Sequence, residues 1–238
     1  MPQSLSTMRT AVRALLPNVT TTIFPDAQLD IVMDAALRRV NSDQPRRYAE
    51  RYTSTGAAFI AASHLSLWVE GLSKVKRVIY PAPVIANGDA APDLDPSRDW
   101  GEYTEADATY IRLETPPISG KDLLFHYTTS WDLNGLDGKT VTTLPDKLVN
   151  ALSFCGAAFT CYAMADKSAG QIEPQIPGAE LINFGSKEGA YRRMGDKWWG
   201  KYTDEVGIST TVAAGGTRRA MTREPQFGGT LMTHRWSH

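Results

Sequence analysis

The sequence predicts an α+β protein: an antiparallel helical bundle, a small β-sheet or sandwich inserted in it, and an extended C-terminal arm. Three observations carry that expectation. Apolar residues recur at helical spacing in the first 45 residues and again after residue 143. Between these stretches they alternate at strand spacing and are punctuated by Gly, Pro and Asn turns. Beyond Gly207 no period survives. The expected parts are N-terminal helices over 1–45, a β-rich module over 46–143, C-terminal helices over 144–207 and an arm over 208–238.

Leu5, Met8, Val12, Leu15 and Leu16 define a short amphipathic helix that Pro17 stops. A second helix runs from Asp26 on Leu29, Val32, Met33, Ala36, Leu37 and Val40, and 41–45 ends it. Strands are expected at 46–53 and 57–62 around Ser54-Thr55-Gly56, at 75–80 before Pro81, at 108–113 and at 123–128. A hairpin turn is expected at 116–120, and turns at Asn134-Gly135 and Asp137-Gly138 lead into 140–143. The segment 143–167 organises the chain. Thr143 and Asp146 resemble a capping box, Pro145 suits a first helical turn, and Leu148, Leu152, Cys155, Phe159 and Tyr162 recur at helical spacing. Small residues (Ala151, Gly156, Ala157, Ala158, Ala163 and Ala165) cover the other faces, so neighbours are expected to approach on several sides. Ser186 is expected to cap a last helix with Tyr191, Met194, Trp198 and Tyr202 on one stripe.

At 238 residues with 42% hydrophobic and 21% charged content, the chain is long enough to bury a real core. A net charge of −1 excludes a general electrostatic footprint for nucleic acid but leaves room for a local patch. Cys155 and Cys161 lie six residues apart on the long helix, on largely opposite sides, and are expected to be buried thiols without a disulfide. No apolar run of membrane-spanning length is expected, nor a signal peptide at the start. Asn18-Val19-Thr20 is read as a chance match to a glycosylation acceptor, and the chain as folding in a cytoplasm.

Tests for chemistry come back empty. Gly138-Lys139-Thr140 lacks the first glycine of a phosphate loop, because Leu133 stands there. His64, His126, His234 and His238 form no paired-histidine motif. Asp89, Asp93, Asp95, Asp99, Glu102, Glu105 and Asp107, against Arg98 alone, give a run of local charge −6. It reads as a solvated acidic loop; Pro96 stiffens the place where a calcium loop must turn and argues against one, and a cation site is the lesser alternative. Arg38, Arg39, Arg46, Arg47 and Arg51, with Lys74, Lys76 and Arg77, are the basic counterpart: structural ion pairs, or contacts to an acidic neighbour or to phosphates. Trp198 is expected on the buried stripe and Trp199 turned outward, as an interface residue. No catalytic residue, cofactor or metal is expected.

The arm carries Arg218, Arg219, Arg223, Phe227, Leu231, Met232, His234, Arg235 and Trp236, with Glu224 as its one acid, a charge of about +3. A tail cannot bury such anchors against itself, so they are expected to dock on another chain.

Several segments, in order, resemble the head-to-tail connector (adaptor) proteins of tailed bacteriophages. They are 34–45 (DAALRRVNSDQP), 77–81 (RVIYP), 100–103 (WGEY), 110–113 (YIRL), 125–128 (FHYT), Leu144-Pro145, 191–202 (YRRMGDKWWGKY) and 231–235 (LMTHR). The resemblance implies a non-enzymatic virion protein of the neck, assembled in the host cytoplasm. It implies a homo-oligomeric ring, twelve-fold in the family, that joins the portal to a downstream neck or tail protein. The ring would continue the channel for genomic DNA without sequence-specific binding, and the arm would bind the portal. Arg38, Arg39, Arg46, Arg47 and Trp199 are then candidates for contacts with neighbouring subunits. The competing expectation is a β-sandwich binding module for carbohydrate or a host receptor, with Trp68, Trp100 or Trp131 as stacking platforms.

Overall fold

The computed structural model describes residues 3–83, 92–169 and 184–208. Four helices and two small antiparallel sheets make it α+β. The elements are α1 (Leu5–Leu15), α2 (Asp26–Asp43), β1 (Arg46–Thr53), β2 (Phe59–Ala61), β3 (Val75–Ile79), β4 (Asp93–Leu94), β5 (Trp100–Glu105), β6 (Ala108–Leu113), β7 (Asp122–Thr129), α3 (Asp146–Ala169) and α4 (Phe184–Val206). Residues up to Ile208 form one compact unit. It holds two hydrophobic clusters, one among the helices and one between the sheets.

Helix α3 is the centre of the first cluster, and α1, α2 and α4 all pack on it. Its polar residues are accommodated by local bonds. Ser153, Thr160 and Ser168 donate their hydroxyls to the carbonyls of Val149, Gly156 and Met164, so none enters the core unpaired. Two glycines set how closely the helices approach. A Cβ on Gly156 would lie 2.7 Å from Met33 Sδ on α2 and 3.2 Å from Val12 Cγ2 on α1, and one on Gly195 would lie 2.6 Å from Tyr162 Cε1. Contrary to the expectation of no membrane-length run, α3 is long and apolar enough to cross a bilayer by length and composition. Two thirds of that stretch (67%) is buried inside the fold, and that burial accounts for its composition.

The ends of the helices differ from expectation in three places. The Thr143 hydroxyl accepts from Asp132 N–H (2.8 Å) instead of reaching into α3, which starts at Asp146. Residues 140–143 form no strand; Thr142 Oγ1 accepts from Asn134 N–H, and Thr143 N–H donates to Asp132 O. Helix α4 begins at Phe184, so Ser186 lies within it rather than capping it. At α1 the cap is Ser4, whose Oγ accepts from Thr7 N–H.

The β module is two sheets, ordered β1-β7-β3-β4 and β2-β6-β5. Ile60, Trp100, Ile111 and Leu113 from the smaller sheet meet Val75, Val78, Leu123, Phe125 and Tyr127 from the larger. The connection read as a hairpin, 116–120, does not pair its own strands: β6 pairs with β2 and β5, and β7 with β1 and β3. After β6, Pro116 and Pro117 supply no N–H for a ladder, and the chain crosses to the other sheet. Glu50 on β1 ties the larger sheet to the connection that follows β2. Its carboxylate accepts from the Tyr127 hydroxyl (2.6 Å), the Ser66 hydroxyl (3.0 Å) and Ser66 N–H.

The module is stapled where it leaves the helices. Asn41, buried in the last turn of α2, accepts from Trp131 N–H (2.7 Å) and donates to Trp131 O (3.3 Å). Gln44 O accepts from the Trp131 indole (2.7 Å), and Gln44 Nε2 donates to Val206 O at the end of α4 (3.0 Å). Entry strand, exit strand and last helix thus share one junction.

Candidate functional site

Among the described residues, both cysteines and several acids of the 89–107 run are engaged within the fold. Cys155 and Cys161 are buried and unbridged, and burial pushes their thiols up to about 12 and about 11. His64 stacks on Tyr52. The acidic run is not the single loop expected: Asp89 lies outside the described residues, Asp93 is on β4, and Glu102 and Glu105 are on β5. Asp93 pairs with Arg77 (2.5 Å), Asp99 accepts from Asp95 N–H, and Glu102 accepts from Val75 N–H (2.5 Å). Ser97, through its hydroxyl and N–H, holds the Asp95 carboxyl below the usual carboxylate range. Among the described residues no three His, Cys, Asp or Glu side chains gather to hold a metal ion.

The basic residues do not form one cluster. Arg38 is exposed on α2 beside Asp34 (2.9 Å). Arg39 pairs with Asp43 (2.8 Å), which also accepts from the Tyr202 hydroxyl (2.6 Å), and its guanidinium lies 5.3 Å from the Trp199 ring centre. Arg46 covers the rings of Tyr48 and Trp131. Arg47 separates from these and meets Lys76, Arg77 and His126 on the outer face of the larger sheet, around a groove of about 580 Å³. Strand pairing produces this arrangement. Arg47, Ala49 and Arg51 alternate outward on β1, Ala49 lies opposite His126 on β7, and His126 lies opposite Arg77 on β3. His126 Nε2 is sealed from solvent with no hydrogen-bond partner among the described residues, a state that costs about 1–3 kcal/mol.

Trp199 is not turned outward as expected. Its ring stacks on Phe159 (5.9 Å) and leans on Tyr202 (5.1 Å), half-buried against the helical cluster. The tryptophans proposed as stacking platforms are also engaged. Trp100 is buried and donates to Leu94 O, Trp68 packs on Tyr127, and Trp131 lies under Arg46 with its indole bonded to Gln44.

The exposed aromatics lie elsewhere, on the outer face of β2-β6-β5. Phe59 (52% exposed) and Tyr103 (48%) meet edge to face at 6.4 Å, and with Tyr110, Glu105 and Arg112 they line a shallow pocket of about 440 Å³. Tryptophan count hid this face; strand alternation reveals it, because Ile60 and Ile111 turn inward and their neighbours must turn out. The arm residues from Arg218 to Trp236 lie outside the described residues.

No protein-family model matches this sequence, and no curated protein matches it.

Proposed function

We propose that the chain is a non-enzymatic structural subunit of a tailed-phage neck. In this reading it is a head-to-tail connector, a helical bundle with an inserted β module, that forms a ring beneath the portal, continues the DNA channel, and docks on the portal through its 208–238 arm. The supporting observation is where the segments of the resemblance fall. Residues 34–45 span the second half of α2 and its exit, 77–81 and 125–128 lie on β3 and β7, 100–103 and 110–113 on β5 and β6, and 191–202 on α4. Six of the eight similar stretches therefore lie on or across the elements that build both clusters and the junction between them; Leu144-Pro145 lies just before α3, and 231–235 lies outside the described residues. The junction of Asn41, Gln44, Trp131 and Val206 suits a subunit whose β module must hold its angle to the helices while neighbours press on both.

Electron microscopy and native mass spectrometry of the purified chain test the ring, and portal binding by the full chain and by a chain ending at Ile208 tests the arm. The expected result is a closed ring, with a truncated protein that stays folded but does not attach. Equal binding of the portal by both forms sinks arm docking.

The exposed Phe59, Tyr103 and Tyr110 favour one second reading, a β module that stacks on carbohydrate or docks on a host receptor. A monomer that binds glycans through this face, and loses them on Tyr103→Ala, supports that reading over the connector.

A further inference from the structure

We propose that the groove on the outer face of the larger sheet is a sequence-independent site for the phosphates of a nucleic acid strand. The first observation is the segregation of charge. In a chain of net charge −1, Arg47, Arg51, Lys76 and Arg77 share one sheet face, where Asp93 pairs with Arg77 and Asp122 with Arg51. Arg77 is tied to Asp93, and Arg51 to Asp122 (3.8 Å) and Pro83 O. Arg47 and Lys76 have no ion-pair or hydrogen-bond partner among the described residues, so two of the cations lining the groove are free.

The second observation is a backbone device. In a regular strand, neighbours point to opposite faces, so adjacent Lys76 and Arg77 would be divided between core and solvent. An irregularity in the register between Val75 and Arg77 removes that constraint. Val75 and Val78 both turn inward, while Lys76 and Arg77 are both exposed. Bulges of this kind re-aim side chains, often beside functional sites.

The shape matches an extended polyanion. β1 and β3 flank β7, so their cations stand two strand spacings apart, about 10 Å. Between these two rails the floor is low, because Ala49 faces His126 and neither fills the space. Arg51, four residues along β1 from Arg47, extends its rail by about 13 Å. One carboxylate would use one end of such a trough; successive phosphates use its length. The floor carries no array of donors and acceptors suited to reading base edges, so recognition is by charge. The inference is independent of the connector reading, since a monomer can carry this site.

The experiment is fluorescence anisotropy of the full chain with a labelled DNA duplex between 50 and 200 mM salt, using wild type, Arg47→Ala/Lys76→Ala and, as a control cation off this face, Arg192→Ala. All three melting temperatures are compared, because these exposed positions should leave the fold intact. The expected result is that the double variant binds at least tenfold more weakly at 50 mM salt. Its slope of log K against log salt should fall by about 2, with roughly 0.9 lost per phosphate contact, while Arg192→Ala behaves as wild type. Comparing full chains keeps any contribution of the basic arm constant. Unchanged affinity and slope in the double variant overturn the proposal. So does inorganic phosphate bound through Arg47 and Lys76 with no DNA binding, which would make this a free-phosphate site. Loss of self-association instead of DNA binding would assign the groove to a second copy and overturn it as well.

Discussion

Replacing Gly195 with alanine isolates how tightly α4 is seated on α3. The new Cβ would lie 2.6 Å from Tyr162 Cε1 and 2.8 Å from Cδ1, against an ordinary carbon contact of about 3.5–4.0 Å. Relief requires the ring to move by about 1 Å. The Tyr162 hydroxyl resists this motion by donating to Asp196, the next residue of α4 (2.9 Å). Overpacking of this size costs about 1–3 kcal/mol. Alanine also gains about 0.5–1 kcal/mol over glycine inside a helix. Gly200 supplies the control: it lies in the same helix, and a Cβ there meets nothing within 4 Å. Gly200→Ala is therefore expected to stabilise by about 0.5–1 kcal/mol, and Gly195→Ala to fall about 1–3 kcal/mol below it. In a unit of this size that gap is roughly 2–12 °C in melting temperature. Urea denaturation and thermal melts followed by circular dichroism read both variants. In a Tyr162→Ala background, Gly195→Ala should stabilise like Gly200→Ala, because the clashing atoms are gone. If Gly195→Ala stabilises the otherwise unchanged protein as much as Gly200→Ala does, the close approach is not real and the reasoning fails.

Three other predictions follow from the same geometry. Tyr127→Phe removes a hydroxyl that donates to Glu50 and accepts from Leu67 N–H; it should cost about 1–3 kcal/mol in urea titrations. A cost near zero would mean that this link between the larger sheet and the connection after β2 is idle. Cys155 and Cys161, with thiols pushed up to about 12 and about 11 by burial, should resist a disulfide reagent at pH 8 in the native state and react once unfolded. Asp26 is held below its usual range, first by the hydrogen bond from Arg13 and then by the charges of Arg13 and Arg9. Its folded pKa is depressed, so its stabilisation is present above the unfolded carboxylate value and is lost as pH falls through the folded one. The difference in melting temperature between wild type and Asp26→Asn should therefore shrink on acidification; a constant difference would show that the pair contributes nothing through charge.

Local pattern carried the elements well. The stripe Leu29, Met33, Ala36, Leu37 and Val40 is the buried face of α2, and the small residues of α3 mark where neighbours approach. Period and propensity are properties of a few adjacent residues, so they survive without any knowledge of the fold. Partner choice did not follow from them. The residues around Gly56 and at 116–120 have hairpin chemistry, yet both connections cross between sheets. Tyr48, Tyr52, Ile60 and Ile111 bury their inner faces only when the two layers stack. Trp199 was misplaced for a related reason. Helical spacing put it off the main stripe, but Phe159 and Arg39 reach it from other helices.

The candidate site divides in the same way. Sequence by itself determined the α+β composition, the four helices and the strands other than β4 and β5, the burial of both cysteines, and the presence of surplus arginines between α2 and β3. Only the tertiary structure decided which cations stand together. Helical spacing alone pairs Arg38 with Asp34 and Arg39 with Asp43; the tertiary structure brought Trp199 to Arg39 and Trp131 to Arg46, and left Arg47 beside Lys76 and Arg77. That sorting depends on β7 inserting between β1 and β3, a pairing of strands more than forty residues apart in the chain. Residue spacing specifies which way a side chain points from its own strand, whereas the neighbours it meets are set by how the whole chain buries its apolar faces.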